Sequence, residues 1–251
     1  MKVEVLIPCM ADQFSPQTGK SLLRVLQHLG VEAHYPPQQT CCGLPAYNAG
    51  YWKEAKTLGE KFINEFNTDK YIVMPSVSCV NMIRNKYNLF FYNTSLHLEY
   101  KKIQTRVFEI SDFLINILHL SAWKGKFKAK VMLHSVEGDY NITKEATQLL
   151  QMIQELTLVE NKDHDSCGIG TIFTTMYPQL STNMAIDVLN KAISLNVEYI
   201  VTVDTSCQLH LEKVALKNKL PIKIISLIDL LAESLKYSDA VFNNEELIAL
   251  G

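Results

Sequence analysis

Along this chain, apolar runs of strand length alternate with longer stretches in which apolar residues recur at helical spacing. The first run, Val3 to Pro8, is followed by a helical pattern from Gln17 to Leu29 that Gly30 closes, then by a second short strand, Val31 to Tyr35. Pro36-Pro37 interrupts the chain ahead of Thr40-Cys41-Cys42-Gly43. A helix over Tyr51 to Phe66 leads into the apolar strand Tyr71 to Met74, and another helix is expected over Val80 to Lys86. This alternation predicts an α/β fold with mainly parallel strands, helices covering the sheet, and sites at the carboxyl ends of the strands.

The pattern then starts again. Ala129 to Leu133 echoes the opening strand, and a helix is expected behind it over Thr143 to Glu155. Tyr71-Ile72-Val73 with Ser78-Cys79 reappears 128 positions later as Tyr199-Ile200-Val201 with Ser206-Cys207. Cys42-Gly43 returns 125 positions later as Cys167-Gly168. Glu109 to Leu114 is matched by Ser226 to Leu231, which places a late helix, buried over Ser111 to Leu120, at the same point of each half. Three echoes in one order predict an internal duplication: two pseudo-symmetric α/β lobes, 1–125 and 126–251, divided in the polar segment Trp123 to Lys128.

Composition narrows the function. With 251 residues, 47% apolar and 20% charged, the chain is long enough to bury a sizeable core. Twenty-four Lys plus Arg against 26 Asp plus Glu give a net charge of −2, so no global field attracts nucleic acid or anionic lipid. The opening residues carry a charge within their apolar run and read as a strand, not a signal peptide, and no stretch reaches the roughly 18 apolar residues of a membrane span. The expected location is the cytoplasm. Six cysteines are too few for a secreted disulfide framework, and thiols in a reducing compartment more often bind metal or do chemistry.

The first half carries four of them. Cys9 follows the first strand, Cys41-Cys42 lie in a loop, and Cys79 follows the Tyr71 to Met74 strand at the start of a helix, where unpaired N–H groups favour a thiolate. All three places can meet at one sheet edge. Gly43 suits a loop that takes positive φ or lets backbone approach a bulky group. Four buried structural cysteines or a vicinal disulfide are weaker readings. Zinc competes, since four thiolates suit a tetrahedral site, but structural zinc usually takes pairs spaced by two to four residues. Adjacent side chains point apart and more naturally reach different metal atoms, so the spacing favours a polynuclear iron-sulfur cluster over zinc.

The string from Cys9 through Thr40-Cys41-Cys42-Gly43-Leu44-Pro45-Ala46-Tyr47-Asn48-Ala49-Gly50 to Pro75-Ser76-Val77-Ser78-Cys79 resembles the cysteine-rich CCG domain family, and the likeness extends over essentially the whole chain. That family includes one of the subunits of heterodisulfide reductase and the iron-sulfur subunit of glycolate oxidase. Asp12, Phe14, Pro16 and Phe90-Phe91-Tyr92-Asn93 bring the chain nearest to the short, stand-alone lactate-utilization members. The resemblance implies a duplicated α/β protein whose halves can each hold a 4Fe-4S cluster. It implies a cofactor-bearing subunit that passes electrons within a complex, with other iron-sulfur and lactate-utilization subunits as partners, in oxidising L-lactate to pyruvate. By position, Cys9, Cys41, Cys42 and Cys79 carry over as cluster ligands. The fuller motif ends in Cys-x-x-Cys, whereas Ser76 and Met82 flank Cys79 here, so the five-thiol non-cubane site lacks one ligand. Pro45, Ser76 and Ser78 are expected around the cluster, tuning it by hydrogen bonds.

The second half departs from the family pattern. His-Asp-Ser-Cys-His is replaced by His134-Ser135-Val136-Glu137-Gly138, and Cys167 and Cys207 remain. Two thiolates cannot hold a four-iron cluster by themselves. His134, His164 and His210 are candidates to complete a degenerate site, a Cys2His2 zinc centre among the readings, and a retained scaffold is the plain one. Gly168-Ile169-Gly170 lacks the third glycine of a dinucleotide loop, and no phosphate loop, nucleophile elbow or zinc-protease helix is present. No residue is expected to act as acid or base. Two other functions stand beside the electron-transfer reading: a zinc-binding or metal-free adaptor, and a subunit that reduces disulfides at its cluster.

Overall fold

The computed structural model describes residues 1–135, 140–161 and 165–235. Two four-stranded sheets, all parallel, repeat one topology. In the first, β1 (Lys2–Val5), β2 (Glu32–His34), β3 (Tyr71–Met74) and β4 (Val107–Glu109) lie in the order β2-β1-β3-β4. In the second, β5 (Lys126–His134), β6 (Gln154–Val159), β7 (Tyr199–Thr202) and β8 (Lys223–Ser226) lie in the order β6-β5-β7-β8. The α/β class and the pseudo-symmetric pair of sheets match the expectation. In each sheet the chain leaves its first strand to one side and returns on the other. The crevices at the carboxyl ends of β1 and β3, and of β5 and β7, are therefore topological switch points, where such sheets bind ligands.

Several elements differ from the sequence reading. The first strand is shorter than Val3 to Pro8, because Cys9 already opens a helical turn, Cys9–Phe14. The helix Thr143–Met152 stops before Glu155, since Ile153 is extended and Glu155 takes φ +62° as the chain enters β6. That strand is an exposed edge with polar residues, so its alternation is faint in the sequence. The helix expected from Val80 begins earlier, at Val77, because Ser76 caps it by accepting from the Cys79 amide, and it widens into a π turn over Met82–Lys86. The late first-half helix likewise passes from Ile110–Asp112 into a π turn, Phe113–Ile117, whose first residues are buried. Among the described residues, no helix is long and apolar enough to cross a membrane.

The two halves share a core. Val3, Val5, Leu22, Val25 and Leu26 from the first pack in one cluster with Val131, Leu133, Leu227, Leu230 and Leu231 from the second. The helix Pro16–His28 lies on the helix Leu227–Leu235. Two further apolar clusters each belong mainly to one half. Buried polar contacts follow the same exchange. Thr18 of the first half donates to Asp229 of the second (2.9 Å), and Tyr140 of the second donates to Asp112 of the first (2.6 Å). Asp112 and Asp229 sit at corresponding positions of the repeated late helix, so each half supplies a hydroxyl to the other's carboxylate.

The halves also meet at equivalent residues. Ser76 and Asp204, 128 positions apart, form an antiparallel bridge, and the Asp204 carboxylate accepts from the Ser76 hydroxyl (2.8 Å), the Ser78 hydroxyl (2.6 Å) and the Ser78 amide (3.1 Å). Its other oxygen accepts from the Ser206 amide (3.0 Å), capping the helix Thr205–Lys217. Buried charge is tolerated where several donors converge on it.

Candidate metal centres at two switch points

At the first switch point, three separate segments bring together all four thiols of the first half. Cys9 follows β1, and Cys79 lies in the first turn after β3. The loop carrying the vicinal pair is tied to β1 by Gln39, whose carbonyl accepts from the Ile7 amide (2.8 Å) and whose amide donates to the Val5 carbonyl (3.3 Å). Cys41 and Cys42 then turn to different partners. The Cys9 thiol donates to the Cys41 sulfur (3.4 Å), and the Cys42 thiol to the Cys79 sulfur (3.2 Å). The Cys42 thiol also lies beside Cys41, so the adjacent side chains do not point fully apart.

Gly43 is why the loop can do this. It takes φ +85°, and a Cβ there would stand 3.1 Å from the carbonyl oxygen of Ala55. Its amide donates to the Cys41 sulfur at 3.4 Å. The thiols of Cys42 and Cys9, with that amide, hold Cys41 well below the usual thiol range, against a burial that works the other way. Cys9 and Cys42 are pushed up, first by the bonds they make to neighbouring sulfurs and then by burial. Cys42 and Cys79 are buried, while Cys9 and Cys41 are half-buried.

Tyr87 was not singled out by its sequence. Fully buried, it donates to the Cys42 carbonyl (2.9 Å) and so fixes the vicinal pair from behind. Its ring packs against Phe62 and Phe91, and only its distance from the motif hides it in the sequence. Ser76 and Ser78 differ from their expected role. Their hydroxyls are turned to Asp204 across the half boundary and make no bond to a thiol; the Cys79 amide, at 3.3 Å, is held by Ser76. Pro45 lines a cleft between the halves.

At the second switch point, His134 ends β5, Cys167 sits in the loop ahead of Gly168, and Cys207 lies in the first turn after β7. The ligand atoms of these three residues all lie within 4.8 Å of one another, and the two sulfurs are 2.8 Å apart. Gly168 repeats Gly43, with φ +77° and its Cα facing the backbone of the helix Pro178–Ser194 at Ser181. Cys167 is held low by Cys207, and next by His134, against its burial, while Cys207 is pushed up, first by its bond to Cys167 and then by burial. His210 faces elsewhere, its Nε2 lying 3.2 Å from the Ser181 hydroxyl. His164 and the stretch Val136 to Gly138 lie outside the described residues.

Between the centres lies a cleft of about 630 Å³. Met10, Pro45 and Val77 line it from the first half, with Ile169, Cys167 and Cys207 from the second. A cavity of about 710 Å³ between the helices of the shared core is lined, among the described residues, by no cysteine or histidine.

Four soft thiols gathered here suit an iron-sulfur cluster, and the Gly43 amide aimed at the Cys41 sulfur is the kind of bond that tunes one. The model of the cysteine-rich CCG domain matches twice, over residues 3–84 and 134–212, once at each switch point. The chain belongs to the cysteine-rich CCG domain family. Among curated relatives, lactate utilization protein A 2 of Bacillus cereus is 32% identical over 246 residues, which cover 94% of this chain and 99% of that protein. Lactate utilization protein A 1 of Bacillus anthracis is 31% identical over 245 residues, with the same coverage of each chain. Among solved structures, a hypothetical protein from Helicobacter pylori superposes with a TM-score of 0.68 at 10% identity. It covers 98% of this chain, which spans 50% of the Helicobacter chain, and the likeness is one of fold alone.

Proposed function

We propose that this protein is an iron-sulfur subunit of a lactate-utilization system, carrying one four-iron cluster on Cys9, Cys41, Cys42 and Cys79. The observation that carries this is the convergence of four thiols from three segments at one switch point. Cys9, Cys41, Cys42 and Cys79 would hold the cluster, with Gly43 and Tyr87 keeping the vicinal loop in place. When bound, the cluster supplies one-electron transfer. The chain supplies ligands and a donor to the Cys41 sulfur. Its electrons come from the oxidation of L-lactate to pyruvate on a partner protein and leave to another iron-sulfur protein. The names of the relatives support the lactate assignment.

Anaerobic reconstitution tests the reading. About four iron and four sulfide per chain are expected in the wild type, with loss of both in Cys41→Ser and Cys79→Ser and retention in Cys207→Ser. A wild type that takes up no iron or sulfide, and holds zinc on the first-half thiols, refutes it.

A further inference from the structure

We propose that the second half holds a single metal ion, not a cluster, on His134, Cys167 and Cys207, with its fourth coordination position open to the cleft between the halves. Three observations converge. The three ligand atoms share one point in space, within 4.8 Å of one another. His134 is only 3% exposed, and its Nε2 has no hydrogen-bond partner. Both cysteines line the cleft of about 630 Å³, as does His134.

The donor set decides the occupant. Four irons need more than two thiolates and an imidazole, whereas a tetrahedral ion such as zinc is satisfied by three such ligands and one exchangeable group. A disulfide between Cys167 and Cys207 would leave the buried His134 nitrogen without a partner. A metal ion engages all three residues. Among the described residues, no other side chain completes the sphere. His210 is bonded to Ser181, and both oxygens of Asp204 are taken up by Ser76, Ser78 and Ser206. Three protein ligands and an open position characterise zinc centres that bind or activate a ligand, in contrast to closed structural sites. The exchangeable group faces a space bounded by both halves, so a small molecule bound there would touch Pro45 and Val77 beside the first centre.

The inference uses second-half residues alone, so it stands or falls separately from the first-half cluster. Metal analysis of the full chain, purified anaerobically and loaded with iron and sulfide, then supplied with zinc, is expected to show one zinc per chain. Cys167→Ser and Cys207→Ser are expected to lose that equivalent while keeping the iron. His134→Ala is expected to weaken zinc binding by about 100-fold or more, since even outer partners of metal ligands are worth about 10 to 100-fold. His210→Gln is expected to keep it.

Zinc-edge X-ray absorption of the same iron-loaded protein should show two sulfurs, one imidazole nitrogen and one light atom. Cobalt(II) in a Cys41→Ser/Cys42→Ser chain should give tetrahedral absorption bands that shift on adding azide. Zinc content unchanged in both cysteine variants overturns the site. So does iron and sulfide at the second half in the Cys41→Ser/Cys42→Ser chain, or a Cys167–Cys207 disulfide that persists under reducing conditions. Should that double variant not fold, the absorption of the iron-loaded wild type decides, and a four-sulfur zinc environment refutes the assignment. Bands insensitive to azide refute the open position.

Discussion

Ser76 and Asp204 hold the same place in the two halves and bond to each other, hydroxyl to carboxylate, at 2.8 Å. Both follow the strand that ends at a switch point, and the residues after them carry Cys79 and Cys207. The contact therefore fixes the separation of the two centres. Asp204→Ala removes the acceptor of four hydrogen bonds and strands buried donors, so a loss of about 2 to 4 kcal/mol is expected. Denaturant unfolding measures it, and Asp204→Asn should lose less because it retains an acceptor oxygen.

Gly43 and Gly168, two of the left-handed glycines, make a graded pair. A Cβ at Gly168 would stand 2.6 Å from the Ser181 carbonyl oxygen, whereas one at Gly43 would stand 3.1 Å from that of Ala55. Both variants incur the left-handed penalty of about 1 to 2 kcal/mol, and Gly168→Ala adds a clash with backbone that cannot yield cheaply. Thermal melts of the two alanine variants should rank Gly168→Ala as the less stable. The reverse ranking would contradict the described packing.

Glu109 gives the fold a pH dependence. Burial raises its carboxyl to about 8, although the Ser111 amide it accepts from pulls the other way. A carboxyl raised in the folded state stays protonated there while the unfolded chain ionises, so its contribution falls as pH rises from about 4.5 to 8. Stability of the wild type relative to Glu109→Gln should therefore be greatest near about pH 4 and decline by roughly 3 kcal/mol by about pH 7. Melting both proteins from about pH 4 to 9 checks this, and a constant difference would show that folding leaves the Glu109 pKa unshifted.

Tyr87→Phe removes the hydroxyl that holds the Cys42 carbonyl and leaves every thiol in place. Stability should fall by about 1 kcal/mol. Reconstituted iron should still reach the wild-type amount but leave several-fold faster in the presence of a chelator. An unchanged release rate would mark Tyr87 as a packing residue only.

The alternation of apolar runs, the paired echoes and the cysteine positions were legible because each is local or repeated. The strands starting at Tyr71 and Tyr199 are buried and β-rich, and they appear where the sequence places them. The short β4 and the exposed edge β6 were not legible, since three residues carry no period and an edge facing solvent needs no regular apolar face. At the first centre, positions showed which thiols could meet, but not that Cys41 pairs with Cys9 and Cys42 with Cys79. The serines misled for a physical reason: a hydroxyl near a thiol in sequence turns to the stronger acceptor, and Asp204 becomes available only when the second half docks. His134 and His210 looked alike in the sequence, and only burial and the Ser181 contact tell them apart.

The apolar cluster that joins both sheets has a consequence for heredity. Leu22, Val25 and Leu26 would face water if the carboxyl-terminal sheet were missing, so a truncated gene would encode a chain with an open flank. Thiols can be lost from one copy of the duplicated motif by single substitutions, whereas the copy itself cannot be deleted without undoing its twin.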